Sequence, residues 1–255
     1  MADIPIPHPD ELNPGLNPIG PSKLRQMLGS PRSEPLPPHV SGGPCFAVTN
    51  RILDSLIVRR NVGPFKVTGL QPAVDSLADV MAEIREGDPV LHNRLGTSGM
   101  LCVRRIANSP NTSNHSWGIA VDLKVDGRVD PVGNKRTFRE LLEISPIFNR
   151  HGWYWGAEFP HEDSMHFEIS LEKMQQWHDD GRFKRDPVLR HGHFGNKVAE
   201  LQNLLNRAVG TPQTMLSVDK DFGDKTLAAV RTFQEARGLE VDGIVGRFTW
   251  AALRA

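Results

Sequence analysis

Residues 113–123 read SNHSWGIAVDL. Ile119, Val121 and Leu123 fall on one alternating register, and Gly118, Ala120 and Asp122 on the other. Successive side chains of a strand point to opposite faces. The stretch therefore predicts a strand with an apolar core face and a second face that stays nearly bare until Asp122. His115 stands seven positions earlier, so a histidine and a carboxylate flank a surface that another group can approach closely.

SMHFEISL (164–171) repeats the pattern. Met165, Phe167, Ile169 and Leu171 take one face, and Ser164, His166, Glu168 and Ser170 take the other. GMLCVRRI (99–106) and HGWYWG (151–156) read as further strands. A helix is predicted over 72–86, where Val74, Leu77, Val80, Met81 and Ile84 form one stripe, Pro72 suits the first turn and Gly87 the stop. These elements predict an α+β domain, an antiparallel sheet with flanking helices, over 1–180. Its first 50 residues, rich in proline (PIPHPDELNPG, EPLPPHVSGGP), read as an extended arm or surface wrap.

The polar stretch HDDGRFKRDP (178–187) reads as a linker to a second domain over 187–255. There VDKDFGDKTLAAV (218–230) and VDGIVGRFTWAAL (241–253) share Val, Asp, Gly, Thr, Ala and Ala at identical offsets, an internal repeat. Val198, Leu201, Leu204, Leu205 and Ala208 make a helical stripe before it, ended by Gly210. The tail thus predicts a small all-α domain of three helices. FGNKVAELQNLLN, VDKDFGDKTLAAVRTFQ and VDGIVGRFTWAAL resemble the peptidoglycan-binding domain found beside many cell-wall hydrolases, and the resemblance implies peptidoglycan as the partner.

The 255 residues are 38% hydrophobic and 24% charged, with zero formal net charge. No bulk electrostatic attraction to nucleic acid or an anionic membrane follows. No apolar run approaches the ~20 residues of a membrane span, and the first residues lack a basic region followed by an apolar one, so no secretory signal is visible. Cys45 and Cys102 read as buried free thiols, since a pair this distant bridges only where the fold brings it together. Oligomeric state is not encoded in any motif; a monomer is the default.

Asp oxygen and imidazole nitrogen both ligate zinc, and a catalytic site needs three protein ligands with a fourth position open. His115, Asp122 and His166 are the predicted set for one ion. A nearby carboxylate then serves as base. Asp163, in the turn entering the second strand, is the candidate, with Glu162 and Glu168 as competitors. HEDSMH is no helical zinc motif: five residues at 100° each would set His161 and His166 about 140° apart, so His161 is not expected to be a ligand. Two alternatives are an Fe(II) facial-triad oxygenase, whose spacing differs, and a binding protein with a dead site.

SNHSWGIAVD fits the SxHxxGxAxD signature and DSMHFE the (D/E)xxH signature of the LAS-type zinc peptidases. With GWYWGAEF, the chain most resembles the branch of L-alanyl-D-glutamate endopeptidases and D-alanyl-D-alanine carboxypeptidases seen in phage endolysins. The resemblance implies His115, Asp122 and His166 as zinc ligands and Asp163 as base. It also implies an arginine ahead of the first motif that binds substrate and stabilises the tetrahedral intermediate, best matched by Arg104 with Arg105 as rival. Ser113 matches the signature serine and is expected to give a supporting hydrogen bond. Trp155, with Trp153 and Tyr154, either lines the pocket or packs the sheet. Gly118 and Ala120 are expected to be small because zinc and a peptide backbone approach their strand. The implied function is hydrolysis of a stem-peptide amide bond, L-Ala to D-Glu first and the D-Ala-D-Ala or cross-link bond as alternative. It would act on the cell wall or in the periplasm after phage lysis or a specialised secretion route.

Overall fold

The computed structural model describes residues 3–8, 11–40, 42–183 and 187–254. The chain divides into two compact units, 1–183 and 184–255. Of the predicted linker, residues 184–186 lie outside the described ones.

In chain order the first unit holds β1 (Asp3–Pro5), α1 (Pro21–Leu28), α2 (Arg51–Asp54), β2 (Ile57–Asn61), β3 (Lys66–Leu70), α3 (Gln71–Gly87), α4 (Pro89–Arg94) and β4 (Leu95–Gly99). It continues through β5 (Ala120–Val125), β6 (Arg136–Phe138), α5 (Arg139–Arg150), β7 (Trp153–Trp155), β8 (His166–Ile169) and α6 (Leu171–Asp179). The central sheet runs β4-β5-β8-β7, antiparallel throughout. β2 and β3 form a hairpin, and β1 pairs with β6.

One face of the sheet is the core. Val121, Leu123, Phe167, Ile169, Trp153 and Trp155 are all fully buried. The Phe167 ring stacks on Phe148 of α5 at 4.0 Å and on Trp155 at 5.9 Å. α3 buries its predicted stripe of Val74, Leu77, Val80, Met81 and Ile84, and the Trp153 indole donates to the Ser76 hydroxyl at 3.0 Å. α5 carries Pro146 in its interior, which leaves the Leu142 carbonyl without its usual N–H donor. The Ser145 hydroxyl takes that place, donating to it at 3.0 Å.

The proline-rich arm wraps the unit and also enters its core: Leu12, Ile19, Leu24 and Leu28 are buried, and Pro21–Leu28 is helical. β7 is an edge strand, and an unpaired edge needs cover. Buried Asn13 supplies it, accepting from the Trp155 N–H at 2.7 Å and donating to the Trp155 carbonyl at 3.0 Å.

Two expectations are corrected. Residues 99–106 are not a strand: the ladder slips between Thr97 and Gly99, Gly99 turns away with a φ of 137°, and only isolated pairings follow, Phe46 with Val103 and Arg105 with Thr112. Cys45 and Cys102 are not free thiols; they form a disulfide with Cα atoms 4.9 Å apart. The arm folds back along residues 102–103, the Phe46 N–H donating to the Val103 carbonyl, and so brings the two cysteines together.

The second unit holds α7 (Asn196–Val209), α8 (Asp224–Ala236) and α9 (Arg247–Arg254) around Val198, Leu201, Phe222, Val230, Phe233 and Trp250. The sequence repeat has a physical basis. Gln202 donates to the Asp219 carboxylate, the Asp221 carbonyl and the Thr226 hydroxyl, and accepts from the Lys220 N–H. Gln234 repeats the pattern with Asp242, Ile244, Thr249 and the Gly243 N–H. Each repeated Asp and Thr thus pins a turn to a buried glutamine on the preceding helix. Among the described residues no helix is long and apolar enough to cross a membrane.

Candidate metal centre

Asp122 and His166 are direct partners in the ladder between β5 and β8, so their side chains rise together from the face opposite the core. His115 arrives from a 3-10 helix, Asn114–Trp117, that ends at Gly118. Gly118 has a left-handed φ of 66°, and a Cβ there would stand 2.8 Å from the Gly69 Cα and the Leu70 nitrogen. Its smallness therefore serves a turn and a close approach to β3, which corrects the expectation that it makes room for a ligand.

The hydrogen bonds of the two buried histidines fix their tautomers. A carbonyl and a carboxylate can only accept, so His115 Nδ1–H donates to the Met100 carbonyl at 2.9 Å and His166 Nε2–H to Glu168 Oε2 at 3.0 Å. The opposite ring nitrogens then turn lone pairs inward. His115 Nε2, His166 Nδ1 and Asp122 Oδ1 stand 3.1, 3.1 and 3.2 Å apart. Three acceptors at that spacing repel unless a cation or proton lies among them. The separations are close to the ~3.4 Å edge of a tetrahedron with ligand bonds of ~2.1 Å. Among the described residues these three side chains form the group able to hold a metal ion.

The surrounding charge fits a dication. Asp122, Asp163 and Glu168 are three carboxylates, and Asp163 Oδ1 and Glu168 Oε1 are buried without a hydrogen-bond partner. Burial raises Asp122, but His115 and His166 outweigh it and hold the carboxyl far below the usual range. Burial lowers His166, and Asp122 and Glu168 overcome it, so that the pair of carboxylates favours positive charge at the ring. Burial pushes Asp163 up, and Asp122 adds to the rise against the pull of His166, His115 and Arg104.

The other expected residues fall as follows. Asp163 is brought to the cluster by a tight loop: its N–H donates to the Gly156 carbonyl at 3.0 Å, and a Cβ on Gly156 would lie 2.7 Å from the Asp163 main-chain carbonyl oxygen. Glu162 points elsewhere, its carboxylate accepting from the Asn134 N–H at 2.6 Å, and His161 is exposed against Gly133. Arg104 is near enough for its charge to act on Asp163. The Ser113 hydroxyl makes no hydrogen bond among the described residues; its N–H donates to the Arg104 carbonyl. The supporting hydroxyl is that of Ser116, which accepts from the Arg104 N–H and donates to the Arg104 carbonyl, both at 3.0 Å. Trp155 is fully buried on the core face, its indole donating to the Ser164 carbonyl at 2.7 Å. It supports the Asp163 loop and cannot touch a substrate. Tyr154, opposite Glu168 in the ladder, takes the site face instead.

Residues 107–169 match the family model described as D-alanyl-D-alanine carboxypeptidase, and residues 194–253 the one described as "Putative peptidoglycan binding domain". The first segment contains His115, Asp122, Asp163 and His166; Arg104 precedes it. An uncharacterized protein of Kitasatospora aureofaciens is 44% identical over 68 residues, 27% of this chain and 56% of its own. A zinc D-Ala-D-Ala carboxypeptidase of Streptomyces albus G is 41% identical over 73 residues, 28% of either chain. The chain thus spans about half the length of the first relative and just over a quarter of the second. Among solved structures, the SleB N-terminal domain shows 37% identity over 28% of this chain and 92% of that one, with a TM-score of 0.25. Residues 107–169 are thus similar to D-alanyl-D-alanine carboxypeptidases, and residues 194–253 to peptidoglycan-binding domains.

Proposed function

We infer that this chain is a zinc-dependent peptidoglycan hydrolase that cuts an amide bond of the stem peptide, the L-Ala to D-Glu bond first. The observation that carries the reading is the convergence of His115 Nε2, Asp122 Oδ1 and His166 Nδ1 on one point, with Asp163 near enough to interact with their charges. Zinc bound there supplies Lewis acidity toward a carbonyl and acidifies water. Asp163 takes a proton from the attacking water and returns it to the leaving amine. Its burial suits both steps, because a raised carboxyl accepts a proton more readily than a solvated one. Arg104, fixed at its main chain by Ser116, offers a cation to the developing oxyanion.

The second unit, through its peptidoglycan-binding segment, holds the enzyme on its substrate and raises local substrate concentration. Work on the wall or in the periplasm, reached by phage lysis or specialised secretion as for an endolysin, agrees with a disulfide, which persists in oxidising compartments. The description of the matched family favours a second reading, release of the terminal D-Ala.

Mass spectrometry of the products from purified peptidoglycan, with and without a zinc chelator, tests both. Chelator-sensitive peptides cut after L-Ala support the first bond, and loss of D-Ala alone supports the second. Asp163→Asn is expected to lower turnover by ~10²-fold or more while zinc and fold are retained. No product from zinc-loaded protein, or normal turnover in that variant, would overturn the assignment.

A further inference from the structure

Glu168 lies two residues beyond a metal-facing histidine and is 3% exposed. Its Oε2 accepts from His166 Nε2–H at 3.0 Å and from Asn114 Nδ2 at 2.8 Å. Its Oε1 is buried with no partner. A buried carboxylate with one free oxygen is costly unless positive charge compensates it. Within hydrogen-bond reach, the imidazole of His166 is the group that could carry such charge, and it does so when a cation sits on its far nitrogen.

Asn114 completes the arrangement. Its amide also donates to the Ile19 carbonyl of the N-terminal arm at 2.8 Å, and it is the residue directly before His115. One amide therefore ties together the strand that carries His166, the turn that carries His115 and the arm wrapped behind them. The two histidines are held differently: His115 by a neutral carbonyl, His166 by an anion. An anionic acceptor makes the facing nitrogen a stronger electron donor and keeps the ring from rotating.

We propose that Glu168 and Asn114 form a positioning pair for the zinc site, Glu168 orienting and polarising His166 and Asn114 fixing the carboxylate against the arm. Neither is a catalytic residue. The proposal rests on the reading of His115, Asp122 and His166 as zinc ligands.

The test uses full-length protein, Glu168→Gln, Asn114→Ala and the double variant. Zinc affinity is read by competition with a chromogenic chelator, and thermal unfolding is followed with and without zinc. Glu168→Gln keeps an oxygen to accept both hydrogen bonds and removes the charge, so it is expected to weaken zinc binding about 10- to 100-fold. Its metal-free melt is compared with that of the metal-free wild type, and zinc should raise its midpoint less than it raises the wild type's. Asn114→Ala should weaken binding less than Glu168→Gln, and the double variant should lose less than the product of the two effects. Wild-type affinity in Glu168→Gln, or an earlier metal-free melt with an unchanged response to zinc, would overturn the pair. Failure of the wild-type protein to take up zinc would overturn the zinc site itself and the pair with it.

Discussion

Removal of the Cys45–Cys102 disulfide offers a sharp test of how the arm is held. The bond closes a loop with a sequence separation of 57. In the chain-entropy model a loop of that length restricts the unfolded state by about 14 cal/mol/K, or about 4 kcal/mol at 25 °C. For a unit of this size that corresponds to a fall in melting temperature of about 8–16 °C. The perturbation is the paired substitution Cys45→Ser and Cys102→Ser, which leaves no lone thiol. The assay is calorimetry together with urea unfolding. Only the transition of unit 1–183 should move, with that of unit 184–255 as internal control. The urea slope of the first unit should steepen, because an uncrosslinked unfolded chain exposes more surface. A loss below about 1 kcal/mol with an unchanged slope would refute the reasoning. It would mean that the Phe46–Val103 pairing and the buried arm residues already fix this loop without the covalent bond.

Two further predictions concern polar groups in each unit. Gln234→Ala removes the donor to Asp242 and Ile244 and strands the Gly243 N–H; a loss of about 1–3 kcal/mol confined to the second unit is expected, read as a lowered second calorimetric transition. Asp130 is buried with one oxygen unpartnered, and burial raises its carboxyl against the pull of Thr137 and the Phe138 N–H. A raised acid contributes stability below its unfolded value and loses it as pH climbs through the folded one, so Asp130→Asn should stabilise the first unit at pH 7 and have no such effect near pH 3 in urea melts.

The alternation in 119–123 and 165–169, the helical stripe of α3 and the repeat of Asp219 with Asp242 and Thr226 with Thr249 were all legible in the sequence. A face pattern of period two or 3.6 is local, so the chain carries it wherever it folds. The residue types of the metal set were legible for the same reason: few side chains can donate to zinc, and His115, Asp122 and His166 stand on strand registers or beside them.

What remained to tertiary structure were the pairings between distant segments. Period two says which residues share a face but not which strands are neighbours, and only the β5–β8 register sets Asp122 opposite His166. The same ladder turns Tyr154 to the site and Trp155 to the core, a choice the run Trp153-Tyr154-Trp155 cannot make by itself. Likewise the Met100 carbonyl behind His115, the Asn114–Glu168 contact and the Cys45–Cys102 bond all join groups that the chain path alone brings together. The donors and their faces follow from local geometry and are written in the chain itself; the fold alone chose their partners, because a hydrogen bond or a disulfide depends on distance in space and not on separation along the chain.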